Sequence, residues 1–195
     1  RYKAMPYTDE AGGSKAITES RGLYFINTDY KIPGKPAQIW TQGETQSNSH
    51  WMPTNDNPDE RITVTLNLTV PDSFQTLGNG KLTGSKPLPG GMRTDTWHMD
   101  KPIQVYAAMF AIGRFAIAEE KEGKIPDNYY VEQEYAPYAK LIFNHTPEMI
   151  EYFSKITGVP YPWNKYSQVV VRDYVSGAME NTTASVFGEF VNQNA

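Results

Sequence analysis

The segment RITVTLNLTVP, residues 61–71, alternates without a break. Ile62, Val64, Leu66, Leu68 and Val70 fall on one face, and Thr63, Thr65, Asn67 and Thr69 on the other. Period two marks a strand with one buried and one wet face, and Pro71 predicts its end. GLYFINTD (22–29) and AQIWTQGE (37–44) are shorter apolar runs, split by the turn-rich YKIPGKP. LGNGKL (77–82) contains Asn79-Gly80, a dipeptide that accepts positive φ and predicts a tight hairpin. MRTDTWHM and QVYAAMFAIGRFAIAEE continue the strand series, with Asp100-Lys101-Pro102 as the break between them, and NYYVEQEY (128–135) adds one more. Many short strands with regular turn signals predict a β-sandwich or an open multi-sheet β domain.

The pattern changes near Ala136. In NHTPEMIEYFSKITGVPYPW (144–163), Thr146 is the expected N-cap and Pro147 lies in the first turn, where its missing N–H costs nothing. Glu148 complements the helix N-terminus, Ile150, Phe153 and Ile156 recur at helical spacing, and Gly158 followed by Pro160 predicts the stop. A β-branched run, YSQVVVRDY (166–174), leads into VSGAMENTTASVFGEF (175–190), two short apolar runs around a small-residue turn. The chain therefore divides into a β-rich unit, residues 1–138, and a helix–strand–turn–strand unit, residues 139–195. The second is expected to leave an apolar patch around Ile150, Phe153 and Val169, either exposed or covered by self-association.

Composition narrows the function classes. The 195 residues are 39% hydrophobic, enough for a real core. Eighteen basic against 22 acidic residues, a net charge of −4, leave no basic footprint for nucleic acid. With no cysteine there are no disulfides and no thiolate chemistry. The longest apolar stretch, YAAMFAIGRFAIA (106–118), is too short to span a bilayer and contains Arg114, so no membrane segment is expected. The opening RYKAMPYTDE has no start methionine and no signal-peptide pattern, and reads as the beginning of an excised segment. His50, His98 and His145 are far apart and form no H-E-x-x-H pair, and no G-x-S-x-G occurs. Tyr24, Phe25, Trp40, Trp51, Trp97, Tyr129, Tyr130, Tyr161 and Trp163 suit a core better than a sugar-binding platform.

Two carboxylates remain: Glu44, closing a predicted strand in TQGE, and Glu180, in the turn SGAMEN. GAMEN (177–181) resembles the exopeptidase motif of the aminopeptidase N family, zinc metallopeptidases of the gluzincin type. Its surroundings agree. YPWNKYSQVVVRDYVSGAMEN resembles the family's approach to that motif, and QIWTQGE and WMPTNDNPDER its preceding N-terminal segments. GMRTDTWHMDKPIQVYAAMFAIG resembles its later strands, and YYVEQEYAPYAKLIF its link into the catalytic domain. The similarity runs in order from about Gly22 onward.

The resemblance implies a mainly β fold. An antiparallel β-sandwich-like N-terminal domain (1–138, first strands missing) is followed by the start of a thermolysin-like α/β catalytic domain (139–195), truncated before the zinc helix. In that family a downstream H-E-x-x-H helix holds the metal. Zinc is thus expected in a full-length parent, with no metal ligand in this chain. The parent is expected to hydrolyse N-terminal residues from peptides, a zinc-bound water attacking the scissile carbonyl. This segment would bind the substrate. A free α-ammonium at a cleft end needs anionic acceptors, because an unpaired buried charge is very costly. The resemblance assigns that role to Glu180 and Glu44, with Gln42 lining the pocket. Gly177 and Ala178 admit the substrate backbone as an added strand, Met179 borders the first side-chain pocket, and Asn181 belongs to the same substrate-binding set. ASVFGEF (184–190) is the expected edge strand beside the peptide. Two other readings share parts of this pattern: a non-catalytic β-sandwich interaction or sugar-binding module, and a metal-free degenerate relative.

Overall fold

In a computed structural model of the chain, which describes residues 21–121 and 123–194, the strands run in the order β1 (Gly22–Ile26), β2 (Gln38–Gln42), β3 (Arg61–Pro71), β4 (Gln75–Gly78), β5 (Lys81–Leu88), β6 (Met92–Gln104), β7 (Phe110–Gly113), β8 (Phe115–Glu120), β9 (Asp127–Glu132), β10 (Tyr166–Val171), β11 (Ala178–Met179) and β12 (Ala184–Gly188). Helices α1 (Ala139–Ile142) and α2 (Thr146–Thr157) lie between β9 and β10. The opening stretch that read as an excised start lies outside the described residues. The strands form three sheets, ordered β1-β2-β7-β4, β3-β6-β5 and β11-β12-β10-β9-β8. The first two are wholly antiparallel. The third is mixed: β9, β10 and β12 run parallel, flanked by antiparallel β8 and β11.

The protein is mainly β, and the sequence patterns place most of its strands. In β3, Val64 and Val70 are buried and Leu66 and Leu68 pack against the core. The opposite face carries cross-strand polar pairs to β6: Thr65 Oγ1 with His98 Nδ1 at 2.9 Å, Thr69 with Thr94 at 2.8 Å, and Thr96 Oγ1 donating to Asn67 Oδ1 at 2.8 Å. The β-branched run in β10 is covered on both faces, as parallel strands are. Val169 and Val171 join one core with Tyr24, Trp40, Leu77 and Trp97, while Val170 joins another with Tyr129, Val131 and Phe143. Val169 is therefore fully buried and forms no part of an apolar surface patch. Trp40 lies at the centre, stacked on Tyr24 at 4.1 Å, and its Nε1 donates to Arg172 O at 3.1 Å.

Three local expectations are corrected. The break at Asp100-Lys101-Pro102 is no break, because β6 runs through it. Ile62 pairs Ile103 while Val64 pairs Met99, so a bulge absorbs the extra residues and Pro102 stays in the strand outside the regular ladder. Asn79-Gly80 does turn, with Gly80 at φ +72°, but it closes no hairpin: β4 belongs to the first sheet and β5 to the second. Thr146 does not cap α2 through its side chain. Its Oγ1 donates instead to Gln168 Oε1 on β10 at 2.8 Å, and His145 occupies the cap position without a side-chain cap bond. The helix stop at Gly158 is a left-handed C-cap, φ +68°.

The third sheet carries one buried carboxyl that fits its surroundings poorly. Asp127, at the start of β9, is 2% exposed, and neither carboxylate oxygen has a well-formed hydrogen bond among the described residues. Burial pushes its pKa up from 3.8 to about 7; the Tyr129 hydroxyl, the Asn128 backbone and Lys165 oppose the rise and the charge of Glu120 adds to it. Between about pH 4 and 7 the folded chain thus keeps a proton that the unfolded chain releases, so this group's contribution to stability falls as pH rises through that window. Asp127→Asn should remove that slope and stabilise the fold above pH 7 by on the order of 2 kcal/mol. Urea denaturation of both chains from pH 4 to 8 reads it, and parallel stability curves would contradict it.

Candidate functional site

β2 delivers the first carboxylate. Gln42 is buried at its end, and the chain then passes through Gly43 to Glu44. A Cβ on Gly43 would lie 2.4 Å from Tyr106 O and 2.5 Å from Asn48 Nδ2, so only glycine allows this approach. The buried Asn48 clamps the exit: its Nδ2 donates to Val105 O at 2.6 Å and Ala108 O at 2.9 Å, while its Oδ1 accepts from Trp51 Nε1 at 2.7 Å. Glu44 is consequently carried, half-buried, on a strand end pinned to the turn before β7.

β11 delivers the second. Ala178 pairs Phe187 and Met179 pairs Val186, with Gly188 N donating to Gly177 O at 3.3 Å. Strand alternation turns Ala178 outward and Met179 inward, where Met179 is 1% exposed, and Glu180 is exposed again. A Cβ added at Gly177 would meet nothing within 4 Å, so the outer side of this residue is open. β11 is an edge strand of the third sheet, with β8 at the opposite edge. β12, part of the expected edge strand, is enclosed between β11 and β10. Two small residues at an open edge leave room for an extended backbone to pair.

The two deliveries meet. Gln42 Nε2 donates to Met179 Sδ at 3.4 Å, and the Tyr174 hydroxyl donates to Gln42 Oε1. Tyr174 also packs edge-on against Trp40, ring centroids 5.2 Å apart. Its hydroxyl is held well above the ordinary tyrosine range, by burial first and then by the negative fields of Glu180, Tyr24 and Glu44. Glu44 and Glu180, from opposite ends of the chain, thus act on one hydroxyl. Asn181 is 2% exposed, and both polar atoms of its side chain lack partners among the described residues. Below the site, Arg172 makes a bidentate pair with Glu132 at 2.6 and 2.8 Å, its backbone N–H donates to Gln38 Oε1 at 2.8 Å, and Lys35 pairs with Asp173.

The structure therefore joins Gln42 to Met179 and Tyr174, with Glu44 two residues beyond Gln42, Glu180 next to Met179, and Gly177 and Ala178 on the adjoining edge. Sequence reading missed Tyr174, which no motif spacing singles out although it stands three residues before Gly177. It also missed Asn79, read only as a turn former, and Lys165, whose burial nothing in its neighbours announces. The described residues contain no group of three or more His, Cys, Asp or Glu able to hold a metal. His98 Nδ1 faces Thr65 and His145 Nδ1 faces Glu148, so the groups here do not fit a zinc centre.

Comparison with known proteins agrees in order along the chain. Residues 14–106 match the Peptidase M1 N-terminal domain, and residues 141–191 match the Peptidase family M1 domain. Glutamyl aminopeptidase of Mus musculus and that of Homo sapiens are each 26% identical over 160 residues, covering 80% of this chain. Mitochondrial aminopeptidase 2 of Saccharomyces cerevisiae is 22% identical over 161 residues, covering 82% of this chain. The chain spans about 17% of the length of each of these relatives. With an N-terminal-domain match followed by a peptidase-domain match, and GAMEN beginning on an edge strand of the third sheet, the chain belongs to the M1 peptidase family.

Proposed function

We propose that this chain is the substrate-anchoring portion of a zinc-dependent aminopeptidase, holding the free N-terminus of a peptide between Glu44 and Glu180. The observation that supports it best is the contact of Gln42, two residues before Glu44, with both Met179, the neighbour of Glu180, and the Tyr174 hydroxyl, whose pKa the charges of both glutamates help to raise. An α-ammonium is a compact cation with three donors, and two carboxylates satisfy its charge and its geometry together. The substrate backbone would lie along Gly177 and Ala178 as an added strand. An acylated terminus has lost the charge and carries bulk where the carboxylates converge, which makes the site selective for chain ends. Met179, turned inward, shapes the pocket floor through Gln42, and the buried amide of Asn181 completes the set. Zinc and the hydrolytic step belong to the parent enzyme, and the isolated chain is inactive on this reading. The division at residues 138/139 puts Glu44 in the β unit and Glu180 in the peptidase unit in this assignment, so that the anchor is shared between them. Tyr24, Trp40, Trp51, Trp97 and Tyr129 are all buried, so they offer no platform for a sugar-binding reading.

Titration of the chain with L-alaninamide and with N-acetyl-L-alaninamide, followed by NMR, tests the anchor. The free amine should bind and the acetylated compound should not, and Glu180→Gln should weaken binding about 10- to 100-fold, as expected for one lost charge-assisted hydrogen bond. Equal affinity for the two ligands would sink the anchoring role. In an enzyme carrying this segment, the corresponding loss falls on kcat/KM.

The helix face supports a second expectation. Met149, Phe153 and Ile156 on α2 are half or more exposed, beside a groove of about 1080 Å³ that also meets Leu141, Val159 and Phe190. Such a patch favours self-association of the isolated chain. Sedimentation should show a concentration-dependent dimer that Phe153→Glu abolishes; a monomer at every concentration counts against it.

A further inference from the structure

The loop that follows the GAMEN motif is held from below by a turn of the antiparallel sheets. Asn79 is 1% exposed and all its bonds are long-range. Its Nδ2 donates to Thr182 O at 2.7 Å and to Ala107 O at 2.9 Å, and its Oδ1 accepts from Met109 N at 2.7 Å. The next residue adds to the hold, Gly80 N donating to Thr183 Oγ1 at 2.8 Å. Gly80 itself cannot be replaced: a Cβ there would lie 2.0 Å from His98 O. A buried cation closes the joint from the other side, with Lys165 Nζ donating to Thr183 O at 2.9 Å and Gly78 O at 3.1 Å. Thr183 stands at φ +69°, a conformation that a β-branched residue adopts only when its surroundings impose it. The loop leaves this joint directly into Asn181 and Glu180, and Ala184 N donates back to Asn181 O at 3.1 Å.

We infer that Asn79 is a positioning residue for the amine site: its side-chain amide fixes the 181–183 loop and, through it, the pose of Glu180. The amide is suited to this as no other side chain of its size is. Two carbonyl oxygens demand two donors, one N–H demands an acceptor, and a carboxamide supplies both at one position. The link to binding rests on the amine-anchoring reading above, while the hold on the loop does not.

Asn79→Asp tests it, because it keeps the shape and makes the donor titratable. The new carboxyl, buried against two carbonyl oxygens, has its pKa raised. Protonated, it donates to one carbonyl and still accepts from Met109 N; ionised, it repels both carbonyls. Hydrogen exchange of the Thr182 and Ala184 amides, corrected for intrinsic rate, should approach native protection at low pH. It should fall at least tenfold as pH rises through the carboxyl's titration, with amides of β3 unaffected. L-Alaninamide affinity should fall over the same window, and both changes are read against the native chain at each pH, because Lys165 at the same joint and Asp127 behind it themselves titrate near 7. Thr183→Val, which removes only the acceptor for Gly80 N–H, is the milder variant should Asn79→Asp not fold. It should speed exchange at Gly80 and Thr182 without touching β3. Native protection of the loop in a folded Asn79→Asp at every pH overturns the inference. So does a loss of protection spread evenly over the chain, or unchanged alaninamide affinity with the loop released. A native chain that fails to bind alaninamide refutes the anchoring reading, and the exchange arm alone then decides the brace.

Discussion

A buried backbone carbonyl must find a donor, and where two sheets meet at an angle the ladders alone do not hold the two together. The junction of the antiparallel sheets with the mixed sheet gathers four carbonyls, those of Gly78, Ala107, Thr182 and Thr183; backbone groups reach two of them, Thr182 N donating to Ala107 O at 3.3 Å and Ser167 N to Thr183 O at 3.0 Å. Two side chains tie the four together: the Asn79 carboxamide takes Ala107 and Thr182, and the Lys165 side chain takes Gly78 and Thr183. Placing a lysine there is costly, and burial lowers its pKa from 10.5 to about 7. The Trp97 ring, 5.2 Å from Nζ, offers some compensation. The loop this joint holds is the one that leads back to Glu180, while the Glu44 side is held separately through Asn48.

Further contacts align the same two bodies along a second line. Trp40 reaches across to Arg172 O and Gln38 to the Arg172 backbone N–H, while Arg172 itself is held by Glu132 of its own sheet in a forked pair. A fork of this kind fixes orientation as well as distance. Together the two lines leave β2 and β11 converging, so that Gln42 lies between Met179 and Tyr174 without any element being built for that purpose alone.

Much of this was legible in the order of residues, and the illegible parts share a physical cause. Strict alternation located β3, the β-branched run located β10, and Pro147 with Gly158 bracketed α2, because each is a local rule. Resemblance to a known family marked Glu44 and Glu180; the segments that carry them meet through Gln42 and Met179. Pairing partners were not legible. Asn79-Gly80 signals a turn, and nothing local tells whether the strands on either side rejoin or part into different sheets. That Met179 is buried follows only from strand alternation counted from an exposed Ala178. Thr146 reads as a cap, yet Gln168 from β10 competes for its hydroxyl and wins. Pro102 reads as a break until a bulge at that very place, between the Ile62–Ile103 and Val64–Met99 pairs, accommodates it.

The third sheet gathers strands from both sides of residue 138. β8 and β9 precede α1 in the chain, yet β9 pairs in parallel with β10, and β8 completes that side of the sheet. They also fall between the two family matches, in residues 107–140. The unit that evolution labels and the unit that hydrogen bonds hold together therefore differ. An exchange of front domains between relatives cut at the sequence border would transplant two strands of the peptidase sheet with the donor. The sheet rebuilt in such a hybrid would be a chimera at its centre, between β9 and β10, whereas a cut before Phe115 would keep every strand of that sheet from one parent.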